Sequence, residues 1–185
     1  MPVHERRQHF RIDDHIYFAY RVIAPGEFCS DLTITNQLLG ENGQKYMEAA
    51  QYFQNIDYEL AELTQAIGMK EPSLAHYLNL LNSKIDYLSR QMLMAGNIEM
   101  RSVNISLGGM AFKTPELIKE KTIMKMVLYT KPKMIPIILD ALVVYSQYQN
   151  EGHYRTSVSF NGLTTEQEQL LSQHILLAQI KGRAD

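Results

Sequence analysis

The sequence predicts an α+β chain: a mostly antiparallel β unit, closed by a C-terminal helix and interrupted by a helical hairpin. Alternating apolar residues near the start and through much of the second half predict the strands. A change to heptad spacing between them predicts the hairpin. A capped leucine-rich run near the end predicts the closing helix. On this reading, residues 1–36 and 97–185 form the β unit and residues 42–94 form the insertion.

Residues 11–23 alternate as a strand, with Ile16, Phe18, Tyr20 and Val22 on one face and Tyr17, Ala19 and Ile23 on the other. Pro25-Gly26 ends the run. Phe53, Ile56, Leu60, Leu63 and Ile67 then recur at steps of 3 and 4, as do Leu74, Leu78, Leu81, Ile85, Leu88 and Met92. The two seams are out of phase, and Gly68 and Pro72 stand between them. These suit a helix end and a helix start, so two helices joined by a short turn are expected. A single rod of about 50 residues would carry the chain about 75 Å away, whereas a hairpin returns it to the same body.

Strands resume at 98–105, before Gly108-Gly109, and are expected again at 110–113, 122–130, 134–148 and 153–160. Pro136 should mark an edge, a strand start or a bulge. Thr165 with Glu168 fits a capping box, and Leu171, Ile175 and Ala178 form the expected buried stripe of the last helix.

Composition narrows the function. The chain has 185 residues, a net charge of −2 and one cysteine, Cys29. That excludes an internal disulfide and a cysteine-rich zinc site, and it argues against nucleic-acid binding by the whole surface. No apolar run approaches the roughly 18 residues of a membrane span, and the polar start carries no readable secretory signal. The expected setting is reducing cytoplasm. No phosphate-loop, dinucleotide, zinc-protease or serine-hydrolase motif is present. The six histidines are scattered, so no metal site is expected, and Asp13-Asp14 reads as a solvated turn or a strand cap. Nothing in the sequence reads as an active site, so the chain is expected not to be an enzyme.

Two short patterns stand out. Arg6-Arg7-x-x-x-Arg11 lies in a polar arm ahead of the first strand, and Asn104-Ile105-Ser106-Leu107-Gly108-Gly109 lies at a strand end. Alone, the first reads as a solvated basic terminus and the second as a strand running into a glycine turn. Together, in this order, they resemble the two signatures of the PilZ domain family, R-x-x-x-R and [DN]-x-S-x-x-G. Gly109-Met110-Ala111-Phe112 and Val158-Ser159-Phe160 before the last helix are also similar to that family. The resemblance covers about 125 of the 185 residues and leaves the hairpin outside the standard domain.

The resemblance implies a six-stranded antiparallel β-barrel with a C-terminal helix, and a receptor for the bacterial second messenger cyclic di-GMP. Its implied contacts are Arg6, Arg7, Arg11, Asn104, Ser106 and Gly109, with no other cofactor. The chemistry suits the ligand: arginine forks pair with phosphate oxygens or guanine O6 and N7, and they stack on bases. Many members carry Asp where this chain has Asn104. A carboxylate accepts more strongly from guanine N–H donors, so Asn104→Asp is expected to tighten binding. The inserted hairpin resembles a tetramer-forming variant of the family.

Leucine at both core positions of the second seam specifies a dimer poorly, and the broad apolar faces favour bundles of more than two helices. The expectation is a homotetramer, with a dimer of hairpins as the alternative, and an unidentified downstream protein. The runner-up function is a ligand-independent assembly module.

Overall fold

The structure, a computed structural model, describes residues 10–27, 36–39, 43–94, 98–131, 134–149 and 152–181. The alternating runs become six strands: β1 (Ile12–Val22), β2 (Met100–Ser106), β3 (Gly109–Thr114), β4 (Ile123–Thr130), β5 (Ile135–Gln149) and β6 (His153–Asn161). Three long helices join them: α1 (Gly43–Gly68), α2 (Pro72–Met94) and α3 (Thr165–Lys181). The strands close into a barrel in the order β1-β2-β3-β6-β5-β4, every neighbouring pair antiparallel. Closure leaves no unpaired edge along the sheet.

The barrel closes because β1 has two partners. Its first half, Ile12 to Tyr17, pairs with β2, and its second half, Phe18 to Val22, pairs with β4. The inward positions of each strand meet in one core, with Ile16, Phe18, Ile105, Met110, Met126, Ile137 and Val158 all buried. Fully burying a side chain of this size contributes about 1.5–3 kcal/mol. Pro136 sits at the start of β5 opposite Tyr129, where a missing N–H is tolerated. The register of β5 against β6 shifts between Val143 and Tyr145, which lets one long strand serve two hairpins.

A second, smaller cluster lies outside the barrel. Val127, Tyr129 and Met134 are buried there beneath Leu38, Leu39 and Ile98, which flank the insertion. The hairpin is therefore rooted on the outer face of β4 and β5.

Within the hairpin, Thr64 and Ala75 are buried between the helices, and Ile56, Ile67 and Leu78 are half-buried. Phe53, Leu60, Leu63, Leu74, Leu81, Ile85 and Leu88 are exposed on the single chain. The side chain of Met92 lies outside the described residues. So the sister helices meet through small residues and leave most of both apolar seams uncovered. Among the described residues, no helix is long and apolar enough to cross a membrane.

The last helix begins one residue earlier in its capping than the sequence suggests. Thr164, not Thr165, is the cap: its Oγ1 accepts from the Gln167 N–H at 3.2 Å, and Gln167 Oε1 accepts from the Thr164 N–H at 3.0 Å. Both Thr-x-x-Glu and Thr-x-x-Gln satisfy the pattern, and the sequence alone cannot separate adjacent threonines. Leu171 and Ile175 enter the barrel core as expected, and His174 joins them on that stripe. We predict that Thr164→Ala costs about 1 kcal/mol in urea unfolding, while Thr165→Ala stays within about 0.5 kcal/mol. Equal effects would move the cap back to Thr165.

Candidate functional site

The two sequence patterns converge on one end of β1. Arg11 immediately precedes the strand, and its Nη1 lies 3.4 Å from Asn104 Oδ1 on β2. Asp13 is the cross-strand partner of Asn104, and Asn104 Nδ2 donates to Asp13 Oδ1 at 2.8 Å. Because strand side chains alternate, Asp13 and Asn104 project outward while Ile12, Val103 and Ile105 face the core. Arg6 and Arg7 lie outside the described residues.

The rest of the second pattern builds the turn. Ser106 is 2% exposed, and its hydroxyl donates to the Gly109 carbonyl at 3.1 Å. A Cβ on Gly109 would collide with the Val158 carbonyl of β6, so only glycine lets β3 approach that strand. Gly108 adds to this by accepting from the Phe160 N–H at 3.0 Å. Ser106 and Gly109 therefore fix the β2–β3 turn, and Asn104 is the side chain of this motif that faces outward beside Arg11.

Asp13 and Asn104 line an outer cleft of about 300 Å³ across β1, β2, β3 and β6. One cross-strand row runs Asp13–Asn104–Ala111–Ser157. In the next, His15 faces Ser102, with Nε2 and Oγ 2.8 Å apart, and Lys113 lies directly opposite Arg155. The cleft is thus polarised, with a carboxylate and an amide on one flank and two cations on the other. The sequence patterns give Asp13 no place in a site and do not touch Lys113 or Arg155. The alternation of β3 and β6 put both cations on the outer face, but only the register shows that they share a cleft with Asn104.

Of the two readings of Asp13-Asp14, a solvated turn or a cap at a strand start, the structure excludes the turn and places both at the start of a strand. Both lie in β1, on opposite faces. Asp14 points toward α3, accepting from the His15 N–H at 2.7 Å and from Lys131 Nζ at 3.2 Å. Its Oδ2 also lies 3.1 Å from Nε2 of His174, which is 2% exposed, although that contact lacks the alignment of a hydrogen bond. His174 Nδ1 accepts from the Lys131 N–H at 3.0 Å, which leaves the proton of the neutral ring on Nε2, facing the carboxylate. Burial alone would raise the Asp14 pKa. The His174 and His15 contacts and the Lys131 charge outweigh that, holding it at about 2 against an ordinary 3.8. This cluster pins the strand that carries Asp13, two residues after Arg11, to α3 and the end of β4.

A larger cavity of about 920 Å³ lies at the other end of the barrel, between the end of β1 and the β3–β4 connection. Its charged lining is Glu27, Glu116, Glu120, Lys119 and Lys121. More carboxylates than cations make it the wrong vessel for a ligand with two phosphates, and neither sequence pattern reaches it.

A model of the PilZ domain family matches residues 84–177, and the chain belongs to that family. The match runs from α2 to α3 and takes in the β2–β3 turn. PilZ domains are generally cyclic di-GMP effectors and typically receptors rather than enzymes. Among solved structures, the chain is similar to a tetrameric PilZ domain protein of Xanthomonas campestris, self-assembled via a helical bundle. Identity there is 15%, coverage is 96% of this chain and 92% of that one, and the TM-score is 0.59. The inhibitor of motility MotI/DgrA of Bacillus subtilis is similar at 12% identity, over 98% of this chain and 57% of that one, with a TM-score of 0.46. MrkH of K. pneumonia is similar at 18% identity, over 49% and 43%, with a TM-score of 0.38. No curated protein matches the chain. At these identities the Xanthomonas likeness shows the fold.

Asp13 also changes the expectation for Asn104→Asp. A second carboxylate would face Asp13 directly across the strand pair and lose the Nδ2 hydrogen bond, so like-charge repulsion opposes any gain. For Asp14 the sign is clear. Its pKa is lower in the fold, so its stabilisation is present above about pH 4 and is lost as pH falls toward 2. Urea unfolding between pH 6 and pH 3 should show that loss, and Asp14→Asn should flatten it. A variant that loses stability as steeply as wild type would remove Asp14 from the account.

Proposed function

We propose that the chain is a cyclic di-GMP receptor that relays ligand level through protein contacts within an oligomer. One observation carries the reading: Arg11, at the base of the arginine arm, meets Asn104 across β1 and β2 at the border of an outward cleft. Arg6, Arg7 and Arg11 would wrap phosphates and guanine faces, and Asn104 would meet a base edge. Ser106 and Gly109 would act by holding the turn that aims Asn104. Membership of a family of cyclic di-GMP effectors supports this reading.

The hairpin supports the oligomer. Leu81 and Leu88 are 40% and 54% exposed on α2, in line with Leu74 and Ile85, and the described residues cover them only in part. Their burial against other copies would release apolar surface from water. The tetramer of the similar Xanthomonas protein makes four copies the favoured number, with two as the alternative. The same exposed seam favours a second reading, in which the chain assembles and acts without ligand. Titration separates the two.

Removing Arg7 or Arg11 should weaken cyclic di-GMP binding by at least about 1–3 kcal/mol in titration calorimetry, the scale of one bidentate guanine contact. A doubly substituted Arg7→Ala, Arg11→Ala chain that titrates like wild type would overturn the site. Replacing Leu81 and Leu88 by Glu would bury unpaired charge in the seam, at several kcal/mol per site. Light scattering should then report a smaller species while affinity per subunit stays within a few-fold. An unchanged mass would refute the seam, and a monomer without binding would show that the site is shared between subunits.

A further inference from the structure

We infer that Asp13 is the residue that reads the guanine edge, with Asn104 as its partner rather than as a weakened stand-in for an aspartate. The inference rests on the cyclic di-GMP reading above and names the specificity-determining group within that site.

The register comes first. Asp13 and Asn104 are directly opposite on β1 and β2, face outward together and line the same cleft. The adjacent acid cannot take this part, because Asp14 faces α3 and is engaged by Lys131 and the His15 N–H. Asp13 is exposed, and a carboxylate offers about four lone-pair sites. The Asn104 amide occupies one of them at 2.8 Å. The rest can accept from a ligand.

Orientation comes next. With Nδ2 donating to Asp13 and Oδ1 toward Arg11, the Asn104 amide has its direction set by its neighbours. It therefore offers the cleft its second N–H rather than its carbonyl. Guanine presents, side by side, a 2-amino donor, an N1–H donor and the O6 acceptor. A carboxylate takes the two donors, and an adjacent amide N–H serves O6. Adenine presents a bare N1 acceptor, whose lone pair would face the carboxylate. The Asp13–Asn104 pair thus matches guanine and opposes adenine. Leaving such groups unmatched is what makes a hydrogen-bonding site selective.

Charge completes the case. A carboxylate beside a diphosphate would repel it, but the cleft's other flank holds Lys113 and Arg155 opposite each other, and Arg11 contacts Asn104. An anionic phosphate would meet positive charge on that flank. The base and the phosphate would therefore be drawn to opposite flanks.

Titration of the full chain with cyclic di-GMP and, separately, cyclic di-AMP tests this. Asp13→Asn keeps the size and the cross-strand amide contact, so the fold should hold. It should bind cyclic di-GMP about tenfold or more weakly and narrow the preference over cyclic di-AMP. Asp13→Glu should keep that preference. Asp13→Asn binding cyclic di-GMP as tightly as wild type, or losing affinity equally for both nucleotides, would overturn the inference alone. A wild-type chain that binds neither nucleotide would overturn the receptor reading and this inference with it.

Discussion

The structure depends on the divided pairing of β1. One strand of 11 residues bonds to β2 over its first half and to β4 over its second. That closes the barrel, and it places the residues just after the arginine arm beside the N-x-S-x-x-G strand. Every polar group of the site is positioned from there. Asp13 and His15 face the outer cleft, while Asp14 between them reaches α3 through Lys131 and His174. A slip of one residue in β1 would exchange these faces, sending Asp13 inward and Asp14 to the cleft. The buried Ile16 and Phe18, two positions apart, oppose such a slip because it would expose both.

The hairpin answers a different constraint. Its sister helices touch through Thr64 and Ala75, residues too small to cover Leu60, Leu63, Leu81 or Leu88. The insertion is rooted on β4 and β5 through Leu38, Leu39 and Ile98, away from the Asp13–Asn104 row. The exposed helical seams and the outer cleft are thus separate surfaces of one chain. They are joined through β1, whose Tyr17 packs at the root of the insertion while Asp13 borders the cleft.

Much of this was legible in the sequence because it rests on periodicity. The strands, the hairpin and the closing helix follow from steps of 2 or of 3 and 4, and the strand bounds moved by a residue or two. The position of Arg11 and Asn104 was legible through the pairing of two family patterns. What periodicity cannot give is register. Nothing in Asp13-Asp14 distinguishes an outward acid from one held at a pKa of about 2 by Lys131 and a histidine some 160 residues away. Nor does sequence show that Lys113 meets Arg155, or that the Ser106 hydroxyl turns back on Gly109 rather than outward. The one-residue error at Thr164 has the same origin, since two adjacent threonines offer the same cap chemistry.

The central claim is that ligand is taken on the outer face of β1, β2, β3 and β6, and not in the larger cavity at the other end of the barrel. Amide chemical-shift mapping during a cyclic di-GMP titration tests it most directly. The account predicts saturable shifts at Arg11, Asp13, Asn104, Lys113 and Arg155, with Glu27, Glu116 and Glu120 undisturbed. Shifts confined to those glutamates, or none anywhere at saturating ligand, would contradict it.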